Sequence, residues 1–201
     1  MRDYSMHYSY KGIGDVLIII FDNEKEATRS QSIDRVTVIY HEDKIIGYNI
    51  FNIKDIVKIK NDGMIYLPTK EFIQIVNSIL INAKLEPLQY KENSGFFTGT
   101  VKKIEDMKNH QKYITIESGK DILNSVIVDE ELKIDDDIVV AKVGTRLPNG
   151  NVVKEYKINE LLINAHICTY KELGIETEED HILVLDKQKE NGNDFFSLVE
   201  E

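Results

Sequence analysis

The chain has 201 residues, 42% hydrophobic and 30% charged, with a formal net charge of -10. That composition suits a soluble globular protein with a substantial core, in one large or two small domains. The acidic balance argues against loose attraction to nucleic acid or anionic membrane, and the single cysteine, Cys168, excludes an intrachain disulfide and fits a reducing cytosol.

The opening MRDYSMHYSY carries no apolar signal core, and the longest apolar run, Val16 to Phe21, is far short of the about 20 residues a bilayer needs. The expectation is a cytoplasmic protein with no membrane contact. GDVLIIIF, Gly14 to Phe21, reads as a buried strand because it is short, apolar and β-branched. RVTVIY and KIIGYNIFNI follow, and the HEDK turn between them predicts a hairpin. VKIK and MIYL flank Asn61-Asp62-Gly63, a second hairpin signal.

LPTKEFIQIVNSILINAKL predicts a helix started by Pro68 with Thr69 as N-cap. Phe72, Ile73, Val76, Ile79 and Leu80 recur at helical spacing and form one apolar face. No charge falls between Phe72 and Ala83, so the helix is expected to be well buried. The polar stretch KENSG, Lys91 to Gly95, marks a domain boundary.

Beyond it the chain reads as strands: FFTGTVKKI, KYITIES, LNSVIVD, DIVVAKVG, NVVKEYKI and HILVLD. Their spacing predicts a small barrel or sandwich, with VVAKVG and NVVKEYKI as neighbouring strands across a Pro-Asn-Gly turn. One short helix, TYKELG, interrupts; Thr169 and Glu172 make a capping box and Gly174 suits its C-terminal end.

Six segments now fall into a familiar order: GDVLI, GYNIFN at 47–52, VVAKVG at 139–144, the turn at 148–150, HICTYKELGI at 166–175 and ILVLD at 182–186. Together they resemble the YtpR-type tRNA-binding-domain proteins of bacteria, across nearly the whole chain. The resemblance implies a small α+β domain of unknown role at 1–92, followed at 95–201 by an all-β OB-fold barrel. That barrel is like the tRNA-binding module of methionyl-tRNA synthetases and of the phenylalanyl-tRNA synthetase beta chain. It implies a non-enzymatic RNA-binding protein, with tRNA the expected partner and a role in translation.

The departures concern polar loops. Where the family's first loop runs His-Pro-Asn-Ala-Asp-Lys-Leu, this chain has Met107 to Tyr113 and keeps Asn109 and Lys112. The family's Ile-Val-Cys-Gly-Ala-Pro-Asn run is replaced by SVIVDEE, Ser125 to Glu131. Its Leu-Arg-Gly-Val becomes Ile158, Asn159, Glu160 and Leu161, and the glycine of its Ser-Gly-Met becomes Ala165. An arginine suited to phosphate is lost and a repelling carboxylate gained.

Residues 95–201 hold 13 lysines and arginines against 22 aspartates and glutamates, a balance of -9, and residues 1–94 hold 12 against 13. RNA binding by the second half therefore requires its cations to converge. Lys102, Lys103, Lys108, Lys112, Lys142, Arg146, Lys154 and Lys157 are the candidates, and scattered solvated lysines are the plainer alternative. The RNA-binding residues expected are Asn109, Lys112, Lys142, Arg146 and Lys154. Lys112 and Arg146 would meet phosphate, and Asn109 a base or sugar edge. Tyr113, Tyr156 and Tyr170 read either as stacking platforms or as barrel packing.

No catalytic, metal or cofactor constellation is expected. His166 and Cys168 lack a third orienting group and supply two of the four ligands structural zinc needs. Asp135-Asp136-Asp137 lacks calcium-loop spacing and reads as a turn. Gly12 and Gly14 precede a strand without the lysine and hydroxyl of a phosphate loop. The alternative function is a protein-interaction module that has lost RNA binding, either a homodimer or a partner of a translation protein.

Overall fold

In the computed structural model, which describes residues 3–60, 62–128, 131–186 and 191–199, strands predominate and helices are few. The chain forms two units, Met1–Glu92 and Asn93–Glu201.

The first unit has six strands: β1 (Ser5–Tyr8), β2 (Val16–Ile20), β3 (Arg29–Ile33), β4 (Val36–His41), β5 (Lys44–Phe51) and β6 (Gly63–Ile65). They form one antiparallel sheet in the order β3-β4-β5-β2-β1-β6. The β4–β5 hairpin turns through Glu42 and Asp43, with His41 opposite Lys44, as the sequence suggests. Alternation puts Met6, Ile19, Tyr48 and Val38 side by side on one face, with Tyr8, Leu17, Ile50 and Val36 in the next row. All eight are buried and meet Ile73, Val76 and Leu80 of helix α2 (Lys70–Asn82) in one core.

Thr69 caps α2, its Oγ1 accepting from Phe72 N at 3.2 Å. Phe72 and Ile79 border the buried stripe, but Ile81 is 57% exposed, so the charge-free stretch from Phe72 on is buried on one side rather than all round. A one-turn helix, α1 (Tyr10–Ile13), links β1 to β2. VKIK is extended but forms no strand, and β6 pairs with β1 instead. The second hairpin is therefore absent, because β1 offers the free edge that VKIK would have supplied. Asn61 of its supposed turn lies outside the described residues.

The second unit is built on β7 (Phe96–Asp106), β8 (Gln111–Ser118), β9 (Asp121–Val128), β10 (Asp137–Lys142), β11 (Tyr156–Ile158), β12 (Leu161–Ile163), β13 (Ala165–Ile167) and β14 (Val184–Leu185). Five strands form a sheet in the order β13-β10-β7-β8-β9, with β14 also pairing β10, while β11 and β12 pair only with each other. The early part of β7 pairs with β10 and the later part with β8, and a bulge between Val101 and Lys103 turns the strand between its partners. Val101, Ile114, Ile116, Leu123, Ile127, Ile138, Val140, Ala165 and Ile167 fill the core.

The sheet is not a closed barrel, which corrects the expectation of a complete cylinder. Its outer strands β9 and β13 share no ladder. Just ahead of β13, Asn164 clasps β9: Asn164 N donates to Asn124 O at 3.0 Å and Asn124 N to Asn164 Oδ1 at 2.8 Å.

The Pro-Asn-Gly turn brings the ends of the two expected segments together, Gly144 N donating to Val153 O at 2.9 Å with an isolated Arg146–Val152 bridge, but without a continuous strand pair. Leu147 N donates to Asn151 O, and Val153 N to Thr145 O, so the turn closes a small loop after β10. VVAKVG and NVVKEYKI therefore meet only at their ends: β10 itself pairs with β7, β13 and β14, and only Tyr156–Ile158 of NVVKEYKI is a strand. The TYKELG segment is a single 3₁₀ turn, Lys171–Leu173, with the capping box formed.

A terminal strap completes the unit. Thr98 N donates to Asn193 O and Gly192 N to Thr98 O, both at 2.9 Å. Asp194 accepts from Ser94 N and Oγ, and the buried Phe195 begins the short helix α3 (Phe195–Val199).

Candidate nucleic-acid interface

The β7–β8 turn reverses the chain through Asn109 and His110, both with left-handed φ (60° and 58°). Asparagine tolerates that conformation better than most residues, so the backbone alone accounts for Asn109. Met107 N donates to Gln111 O at 2.8 Å and closes the turn. Beside it lies a cleft of about 580 Å³ lined by Asp106, Met107, Asn109, His110, Gln111, Lys112 and Glu131. Lys112 stands opposite Asp106 on β7 and Ile127 on β9. Asn109 and Lys112 are thus brought together, in a cleft holding two carboxylates and one ammonium.

The other three expected residues sit at the far end of the sheet. Lys142 Nζ is 2.7 Å from Asp121 Oδ2 and 4.2 Å from the Phe97 ring centre. The hydrogen bond from Lys142, and then its charge, hold the Asp121 carboxyl below its ordinary value. Arg146 Nη1 donates to Gly150 O at 3.1 Å, tying it to its own turn. Lys154 is exposed, next to Val153, whose N–H anchors the same loop. Thr145 Oγ1 donates to Gly95 O, fixing this loop to the start of β7. The eleven residues of β7 separate the two groups by roughly 30 Å at about 3.3 Å per residue. One small ligand cannot touch both; a polynucleotide can.

Much of the remaining strand charge is neutralised locally. Lys102 lies 3.3 Å from Glu117 and 3.8 Å from Asp135, and Lys103 lies 2.9 Å from Glu105. Tyr113 is 8% exposed and donates its hydroxyl to Leu162 O at 3.1 Å. Burial raises its pKa and no ring face is offered to a base. Tyr170 is half-buried, whereas Tyr156 is exposed on β11. Where the family has Arg-Gly, Asn159 and Glu160 form the two-residue β11–β12 turn with φ of 47° and 68°.

His166 and Cys168 do not form a pair. His166 Nε2 lies 2.9 Å from both oxygens of Glu172, which also accepts from Thr169 N at 3.0 Å. Burial raises the Glu172 pKa, but the hydrogen bond and charge of His166 and the Thr169 N–H outweigh it and leave the carboxyl below its ordinary value. Cys168 is fully buried; burial, then the Glu172 charge, push its thiol well above the ordinary range, so it has little thiolate character. Asp136 and Asp137 serve the turn and strand, accepting from Lys133 N and Thr100 Oγ1 at 2.7 Å each. Among the described residues no group of three or more His, Cys, Asp or Glu is placed to hold a metal, and no helix is long and apolar enough to cross a membrane. Asp129 and Glu130 of SVIVDEE lie outside the described residues. Sequence reasoning passed over the roles of His110, Phe97, Asp121 and the Asn124–Asn164 clasp, of which His110 and Asn164 lay inside motifs being compared.

These features define a mostly β protein of two units, the second an open five-stranded sheet with polar loops at either end. A domain of unknown function, DUF4479, matches residues 22–88. The chain is 31% identical over 199 residues to YtpR of Bacillus subtilis (strain 168), covering 94% of this chain and 97% of that one; the relative's name proposes tRNA binding. It is 25% identical over 137 residues to the phenylalanine–tRNA ligase beta subunit of Fusobacterium nucleatum subsp. nucleatum, covering 65% of this chain and 17% of that subunit. The chain belongs to the YtpR family.

Proposed function

We propose that this is a non-enzymatic, cytoplasmic RNA-binding protein whose ligand is tRNA, acting through a diverged OB-fold at residues 95–201 that follows a small α+β domain at 1–92 in the chain. Strand order carries the reading. Taken in sequence, β7, β8, β9, β10 and β13 adopt the neighbour pattern 5-4-1-2-3. An OB-fold is a five-stranded, partly open barrel that binds oligonucleotides on the face of its second and third strands and on the loops between strands one and two and four and five. Asn109 lies in the first of those loops and Lys112 just beyond it at the start of β8; Arg146 and Lys154 lie in the second. The 30 Å separation then becomes the span of one RNA across the β8–β9 face. The names of both relatives support the same ligand.

Three phosphate contacts, from Lys112, Arg146 and Lys154, give a salt slope of about -2 to -3. Labelled tRNA should therefore bind about 20- to 40-fold more weakly at about 200 mM salt than at about 50 mM. No binding at tens of micromolar protein in low salt would remove the proposal.

A second reading has its own observation. Lys102, Lys103 and Lys142 are held by carboxylates, while Ile122, Val128, Tyr156 and Leu161 are exposed. That surface suits a protein partner or a second copy of the chain. Sedimentation as a dimer without RNA, with no tRNA bound, would favour it.

A further inference from the structure

One end of the first unit's sheet gathers rings and cations that no part of the barrel reading uses. There β1 runs into α1, β2 begins, β4 begins and β5 ends. Phe51 stands opposite Val16 and its N–H donates to Arg35 O; Asn52 N donates to Asp15 O. The Lys54 ammonium lies 3.5 Å from the Tyr10 ring centre. Tyr8 pairs with Gly63, which brings the segment carrying Lys58 and Lys60 to the same end.

Tyr10 is 54% exposed and Phe51 40%, with Ile13 and Ile56 beside them. Lys11, Lys54, Lys58 and Lys60 are exposed around these rings, and Arg35 is half-buried. Val57 and Ile59 pack on the core, so alternation turns Lys58 and Lys60 outward. Asp34, Asp55 and Asp62 are exposed at the margin. Asp15 is already committed: it accepts from Tyr8 Oη at 3.0 Å and from Lys54 N at 3.2 Å. Unlike Lys102, Lys103 and Lys142, the four lysines Lys11, Lys54, Lys58 and Lys60 form no carboxylate ion pair among the described residues.

Exposed rings interleaved with lysines are the chemistry of single-strand recognition. Bases stack on the rings whatever their sequence, and ammonium groups meet the phosphates between them. We infer that this end of the first unit is a second RNA-contact surface, taking unpaired nucleotides by stacking on Tyr10 and Phe51 and pairing their phosphates with Lys11, Lys54 and Lys58. It does not depend on the loop residues of the second unit. It also adds polyanion contact in the half whose charge is nearly balanced.

The test is fluorescence anisotropy of the full chain with a labelled 12-nucleotide oligouridylate, with labelled tRNA titrated in parallel. Tyr10→Ala and Phe51→Ser should each weaken oligouridylate binding by about 5- to 100-fold. Lys11→Glu with Lys58→Glu should also reduce the salt slope by about 1.4. These side chains are exposed, so melting temperatures should match the parent. In a Lys112→Ala background, where tRNA binding is already weaker, the ring substitutions should weaken oligouridylate binding by the same factor as in the parent. The inference falls if the ring variants bind like the parent, or if only Lys112→Ala lowers oligouridylate affinity. It also falls if polyglutamate competes as well as RNA and ring truncation does nothing, which would mark an acidic protein partner. tRNA binding without oligouridylate binding at about 100 µM protein sinks this inference alone; loss of both sinks the barrel proposal too.

Discussion

Asn164→Ala should loosen the clasp that ties β9 to the segment entering β13. The substitution deletes the Oδ1 that accepts from Asn124 N at 2.8 Å, but leaves the backbone bond from Asn164 N to Asn124 O at 3.0 Å. A hydrogen bond contributes about 0.5–1.5 kcal/mol net, and stranding a buried donor adds about 1–3. Asn124 is half-buried, so water reaches the freed N–H and the expected cost is near the low end, about 1.4 kcal/mol. At about 2 kcal/mol per molar of urea, the midpoint should fall by about 0.7 M. Hydrogen exchange at the Asn124 amide should quicken about tenfold, while amides at the centre of β8 change less. Asn164→Asp keeps an acceptor at the same place and should behave like the parent. An unchanged midpoint together with unchanged Asn124 protection would show that packing, not this bond, holds β9 against β13.

Glu160→Gly should stabilise the second unit by about 1 kcal/mol, read as a higher urea midpoint, because φ of 68° strains a side chain and Asn-Gly is the favoured pair for such a hairpin turn. Gly192→Ala should cost about 2 kcal/mol or more by the same assay: a Cβ there would lie 2.5 Å from Gly119 N and Cα, at φ of 88°. The depressed Glu172 pKa makes a pH prediction. Its folded carboxyl holds its proton less tightly than the unfolded one, so its stabilisation is present above roughly pH 4.3 and lost as pH falls through the folded value. Glu172→Gln should accordingly flatten the acid limb of a stability–pH curve, and an acid limb parallel to the parent's would contradict the assignment.

What could be read from the chain was local. β2 and the β4–β5 hairpin announce themselves through β-branched runs and a short turn, α2 through its Thr69 cap and apolar stripe, and the Thr169–Glu172 box through three-residue spacing. β3 did not, because RSQSI is an exposed edge strand without an apolar face. β12 and β13 are three residues each, too short for alternation to register. The partners of β10 were misread because proximity in sequence suggested NVVKEYKI, whereas β10 bonds to strands about 40 residues before and 25 after it. The same limit governs the interface. Asn109 and Lys112 were found together because one turn holds them. The engagement of Lys142 by Asp121 and Phe97 depends on three strands meeting, which no window of sequence contains.

The strap at residues 191–195 has a consequence for biosynthesis. Ser94 and Thr98, at the very start of the second unit, find their partners in Asp194 and Asn193, nearly the whole unit later. At about 5–20 residues per second, a nascent chain waits roughly 5–20 s between emergence of the first of these groups and the last. The β7–β8–β9 meander can assemble in that interval, since its contacts are close in sequence. Its first strand, however, stays unsealed until residues 191–195 clear the ribosome, so a product cut short before them would carry a frayed edge ready to pair with another chain.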